Sequence, residues 1–151
     1  MLENIANVAE IIGVTLVLAT LIFLTLQIRQ NTRAIRSTTI QAIMQSEFAF
    51  GQILTTHAGL RDKILAGEMP GEGEQMRRAI ILFNLFMIDT ETRFHQFISG
   101  YLDENAWEGR FRTLPTMIVL PIYPHWRQSI GGRTRSIDFL ELVDGIYAEA
   151  N

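Results

Sequence analysis

Asp89, Glu91 and His95 crowd one short stretch, 89-DTETRFH-95, and their types suit metal ligation or acid–base work. Glu91 and His95 are four apart, so a helix would put both on one face. A di-iron bundle, however, takes Glu-x-x-His from each of two helices and further carboxylates besides. This chain has three histidines and no Glu-x-x-His. The spacing therefore predicts a helical Glu–His surface pair. His57, near a helix end, and His125, beside Trp126, have no evident triad partners. The chain contains no H-E-x-x-H, G-x-S-x-G or Walker loop. The segment 68-EMPGEGE-74 is not a phosphate loop either: it is acidic, lacks a lysine and follows no strand-like run. Cysteine is absent, which excludes disulfides, thiolate metal sites, iron–sulfur ligation and cysteine nucleophiles. The expectation is a non-catalytic protein, with no catalytic residue, no metal site and no cofactor.

The elements that would position any site begin with 11-IIGVTLVLATLIFLTLQI-28, a run without a formal charge. A bilayer core of ~30 Å needs about 20 apolar residues in a helix, with roughly 17 as the lower bound. Val8 and Ala9 lengthen the run beyond Glu10. A cleaved signal peptide would carry a positive n-region and a small-residue cleavage site. Here Glu3 and Glu10 are acidic, no Lys or Arg precedes Arg29, and the run ends in Gln27-Ile28-Arg29. A soluble core helix would show a polar face at period 3.6. Only Thr15, Thr20, Thr25 and Gln27 interrupt this one, and a threonine hydroxyl can bond the preceding turn's carbonyl. The stretch reads as a transmembrane helix.

Arg29, Arg33 and Arg36 follow the span at once. The positive-inside rule then puts the C-terminal part in the cytoplasm and the N-terminus outside. Ala9 and Gly13 are four apart, as are Thr15 and Ala19. Small residues so spaced let two helix backbones approach closely. Chance gives such pairs in any alanine-rich span, so this spacing marks a candidate face only. Glu10 lies at the outer edge, either facing headgroups or meeting a partner chain.

No proline precedes Pro70, and no glycine lies between Gly13 and Gly51. Ile28, Ile35, Ala42, Ile43, Phe48, Phe50, Ile53 and Leu54 keep a helical spacing through the polar neck. An unbroken helix over residues 5–56 would measure about 78 Å at ~1.5 Å per residue. A break at Asn31-Thr32 is the alternative. Next come a short helix over 60-LRDKILAG-67 ended by Gly67, an acidic loop, and a helix over 74–99 ended by Gly100. Its apolar stretch 79-AIILFNLFMI-88 is too short to span and suits a core. Asp103 is placed to cap the next helix, with Leu102 and Trp107 as a hydrophobic staple. The run 114-LPTMIVLPIYP-124 is open between a kinked helix, an extended crossing and an interfacial segment. Pro124 is expected to open a short helical turn and Gly131-Gly132 to form a hinge or turn. A last helix, about 136–149, is expected to bury Ile137, Leu140, Val143 and Tyr147. Phe83, Phe86, Phe94, Phe97, Tyr101, Trp107 and Phe111 read as core. Tyr123 and Trp126 beside an apolar run are candidates for interfacial contact with headgroups or a partner, against ordinary packing.

Apolar residues form 48% of the chain against 19% charged, a balance that fits a one-pass membrane protein better than a soluble domain. Twelve of the thirteen basic residues are arginine, and the net charge is −3. That net charge leaves no electrostatic footprint for nucleic acid.

The stretch 5-IANVAEIIGVTLVLATLIFLTLQIRQNTRAIR-36 resembles the opening of a widespread bacterial family of single-pass membrane proteins without an assigned reaction. The family shares an N-x-A-E-I-I-G entry and a Q-I-R-Q-N-T-R-A-x-R exit. The turn 96-QFISGYLDENAWEG-109 is similar to its Q-x-x-x-G-x-L-D-x-x-x-W pattern. The tail departs from it, because 119-VLPIYPHWRQSIGG-132 rearranges a segment where relatives carry a glycine-rich break followed by tryptophans. The resulting expectation is an all-α chain with one transmembrane helix continuing into a cytoplasmic helical domain: an anchor over 1–30, a helical neck over 31–58 and a helical domain over 59–151. Its expected partners are membrane lipid and other membrane protein subunits or a copy of itself, with the chain serving as an accessory or assembly subunit. A self-associating scaffold or sensor is the alternative, and an enzyme without a local motif the third.

Overall fold

The computed structural model describes residues 2–150, with side chains described for Asn7 and from Ala9 onward. The side chains of Glu3 and Val8 lie outside the described residues. Eight helices and no strand occur among them: α1 (Leu2–Thr56), α2 (Ala58–Leu65), α3 (Glu74–Ile98), α4 (Glu104–Phe111), α5 (Leu114–Ile118), α6 (Ile122–Gln128), α7 (Ile130–Arg133) and α8 (Ile137–Ala150). The all-helical class expected from the sequence is thus the observed one. The chain divides into two compact units, Met1–Thr38 and Thr39–Asn151.

In the first unit, α1 is long and apolar enough to cross a membrane. Every residue from 11 to 28 is exposed. Thr15, Thr20 and Thr25 each donate a hydroxyl hydrogen bond to the carbonyl four residues earlier, at 2.8 Å. Their polar atoms are thereby satisfied inside the helix, as an apolar surrounding demands. The helix does not break at Asn31-Thr32. With neither glycine nor proline there, nothing local interrupts its hydrogen bonding.

In the second unit, α3 is the organising element and packs against α2, α4, α6 and α7. Ala79, Phe83, Phe86, Met87 and Thr90 recur at helical spacing and form its buried face. Thr90 is a polar exception, and its hydroxyl donates to the Phe86 carbonyl at 2.8 Å. Gly67 and Gly100 end α2 and α3 with φ of +74° each, the left-handed conformation that glycine adopts without a Cβ penalty. The amide of Tyr101 then reaches back to the Gln96 carbonyl at 2.9 Å. Asp103 caps α4 by accepting from the Ala106 amide at 2.9 Å. Leu102 and Trp107 are both buried in one cluster, which is the staple expected from their spacing.

The stretch 114–124 takes the kinked-helix form. Pro115 sits in the first turn of α5, and Pro121 precedes α6. A proline at a helix start loses no hydrogen bond, so each ring stops one short helix and starts the next. Pro124 lies inside the first turn of α6.

Two expectations fail in the tail. Gly131-Gly132 is no hinge: both glycines are helical, in α7. A Cβ on Gly132 would overlap the Trp126 carbonyl and come within 2.7 Å of Arg127 Cα, so the glycines serve close approach. Ile137 is 74% exposed, and Phe139 takes the buried place in α8 with Val143. The helix begins at Ile137, and Ile137 and Asp138 face solvent.

Of the two alternatives open for Tyr123 and Trp126, ordinary packing is the one observed. They are 2% and 0% exposed, packed against Phe83 with ring centroids 6.5 and 5.8 Å away. Burying a large aromatic side chain stabilises by roughly 1.5–3 kcal/mol, and Trp126 Nε1 has a partner in Asn84 Oδ1 at 3.0 Å.

Candidate functional site

Each of the two units presents a surface feature that could carry function. In the first, Ala9, Glu10, Gly13, Thr15 and Ala19 are all exposed on α1, and a Cβ on Gly13 would meet nothing within 4 Å. The close-packing face is therefore open. Arg29, Arg33 and Arg36 are exposed at the C-terminal end of the apolar run, as their spacing indicated.

The second unit holds a charge network that local spacing does not reveal. Arg93 on α3 has a side chain only 7% exposed. Its Nε donates to Asp89 Oδ2 at 2.9 Å, and its Nη2 donates to Glu47 Oε1, on α1, at 2.7 Å. Arg110 on α4 donates its Nη2 to the same Asp89 oxygen. Its guanidinium also lies over the Phe86 ring, 4.4 Å from the centroid. Two arginines and two carboxylates balance, so the network ties α1, α3 and α4 together without a net charge. Burial in this setting lowers the Arg110 pKa, while the neighbouring Asp89 works against that shift. Only Asp89 and Arg93, at i and i+4, have a spacing that local sequence displays. Glu47 and Arg110 reach it from distant parts of the chain.

Glu91 and His95 do share a face, yet the ring nitrogen of His95 is 3.8 Å from Glu91 Oε1. Glu91 is held elsewhere: Oε2 accepts from Arg135 Nη1 at 2.9 Å and Oε1 from the Ser136 amide at 2.6 Å. His95 Nε2 lies 3.0 Å from Ser136 Oγ. The expected Glu–His pair is thus present, but Glu91 is only 13% exposed and its carboxylate also fastens the residues just before α8 to α3. Asp144 makes a similar fastening between α8 and α6. It accepts from the Tyr123 hydroxyl at 2.5 Å and from Arg127 at 3.1 Å. Burial pushes the Asp144 pKa up, but the hydrogen bonds from Arg127 and Tyr123 outweigh it and leave it below the usual value.

Beside the Arg110 network lies a cavity of about 300 Å³. Phe50 and Leu54 of α1 and Leu82 and Phe86 of α3 form its apolar walls, and Arg61 and Arg110 are its charged lining residues. No local motif in the sequence signals it, since its walls come from five helices. No family model matches the chain, and no curated protein and no solved structure is similar to it.

Proposed function

We propose that this chain is a non-catalytic single-pass inner-membrane protein that acts as an accessory or assembly subunit of a larger membrane complex. The observation that carries the proposal is the exposed apolar run of α1 from residue 11 to 28, whose threonines satisfy themselves within the helix. A helix of this kind gains nothing from water and is at home in lipid. The arginines at 29, 33 and 36 orient it with the C-terminal domain in the cytoplasm. A second observation favours a protein partner over simple anchoring. Met44 and Phe48, four apart on α1, are 63% and 70% exposed. Large apolar side chains in that arrangement mark contact surfaces. A copy of the same chain is the alternative occupant, which makes the protein a self-associating scaffold.

Gentle extraction of the full chain, followed by mass spectrometry of what co-migrates, tests the proposal. Gly13→Leu is expected to insert normally, because leucine favours the bilayer. It should reduce the co-migrating partner, because bulk at Gly13 holds a neighbouring helix away. Phe48→Glu should reduce it as well. Normal insertion with undiminished partner in both variants would refute docking through these two faces. A partner consisting only of the same chain would replace the accessory-subunit reading with the scaffold.

A further inference from the structure

The cavity beside the charge network carries a proposal that is independent of how the span is used. We propose that it binds a medium-chain aliphatic carboxylate, with the tail inside and the carboxylate on Arg61. All of its lining residues belong to the second unit. The walls are aromatic and aliphatic: Phe50 and Leu54 from α1, Leu82 and Phe86 from α3. Such walls select a hydrocarbon tail over a polar one. The charged lining residues are both arginines, and no acidic side chain lines the cavity among the described residues. An anionic head at this cavity therefore meets guanidinium groups and no like charge among its lining residues.

The two arginines differ in how firmly they are held. Arg110 is fixed by Asp89 and by the Phe86 ring, so it shapes the wall. Arg61 is bound only loosely. Its Nε and Nη2 both go to Asp62 Oδ1, at 2.8 and 2.6 Å, and Asp62 is its exposed neighbour in sequence. Exposed pairs of this kind add little to stability, so a ligand carboxylate can replace Asp62 at small cost and take the guanidinium fork in bidentate fashion. Size sets the tail. A cavity of about 300 Å³ is at the lower end for small-ligand sites and takes on the order of ten heavy atoms. That suits a free acid and leaves no room for a glycerophosphate head.

Decanoate is the probe. The full chain, reconstituted in lipid nanodiscs without detergent, is titrated with carboxyl-¹³C decanoate, and empty nanodiscs report partitioning into lipid. Saturable one-to-one binding above the empty discs is expected. Decanol should bind at least tenfold more weakly, and decyltrimethylammonium more weakly still. Arg61→Gln should abolish the preference for decanoate over decanol while leaving decanol binding unchanged. Leu82→Trp should abolish binding of both by filling the cavity. Leu54→Trp, at a half-buried wall position, does the same test should Leu82→Trp fail to fold by circular dichroism. Equal affinity for decanoate and decanol, or saturable binding that survives both tryptophan variants, would overturn the proposal. So would tighter binding of a single-chain phosphatidylglycerol with a ten-carbon tail, since it would identify the ligand as a lipid.

Discussion

Gly131→Ala should destabilise the helical domain, and the effect should vanish when Asn84 is shortened. A Cβ at position 131 would overlap Asn84 Oδ1 and lie 2.7 Å from its Cγ. Asn84 must then swing away, and Oδ1 is the acceptor for Trp126 Nε1. Trp126 is fully buried, so its N–H is left without a partner. An unsatisfied buried donor costs about 1–3 kcal/mol, and local overpacking costs a similar amount. Alanine returns up to ~1 kcal/mol over glycine in a helix. The net loss is about 1–5 kcal/mol, and a mid-range value of about 3 kcal/mol lowers Tm by roughly 10–15 °C for a unit of this size. Asn84→Ala alone costs about 1–3 kcal/mol through the same orphaned N–H. In that background Gly131→Ala has room and no bond to break, so its cost should fall to near zero. Thermal unfolding of all four proteins in nanodiscs, followed by near-UV circular dichroism of the tryptophans, completes the cycle. A coupling of about 2 kcal/mol is expected. Equal cost of Gly131→Ala in both backgrounds would show that Asn84 and Trp126 do not depend on the glycine.

Arg93→Ala should cost about 2–4 kcal/mol by removing the buried link from Asp89 to Glu47, whereas Glu47→Gln, at an exposed partner, should cost less than about 1 kcal/mol; a reversed order in denaturant melts would refute the network's centre on Arg93. Asp144 has its folded pKa held below the unfolded value, so its contribution is present above about pH 4 and is lost as pH falls through the lower folded value. Stability of the wild type should therefore fall more steeply than that of Asp144→Asn below pH 4, and parallel acid titrations would contradict the assignment. The Tyr123 pKa is raised, by burial and then by its bond to Asp144, so stability should decline as pH rises past about 10, and Tyr123→Phe should flatten that limb. Protease added to intact spheroplasts should leave the helical domain whole, because the arginines follow the apolar run; its digestion from outside would reverse the orientation.

Local rules carried the sequence furthest where the cause of a feature is itself local. Asp103 caps α4, Gly67 and Gly100 end their helices, and the threonines of α1 bond back along it, each through atoms within a few residues. The same rules fail where two distant segments decide the outcome. The aromatic and proline content of 114–124 fits an interface as well as a core, and the choice rests on Phe83 and Asn84, about forty residues away. Gly131-Gly132 shows the same dependence. Adjacent glycines usually signal freedom, yet here they are needed because α6 and α3 press on α7. Ile137 and Phe139 exchange roles because the start of α8 is set by Glu91, which holds the Ser136 amide from α3. The charge network follows the same logic on a larger scale: Glu47, Asp89, Arg93 and Arg110 come from three helices, and only one pair among them has a spacing that a sequence can display. The cavity beside them is a further step removed, since it is a property of the gap between helices and no single residue encodes it.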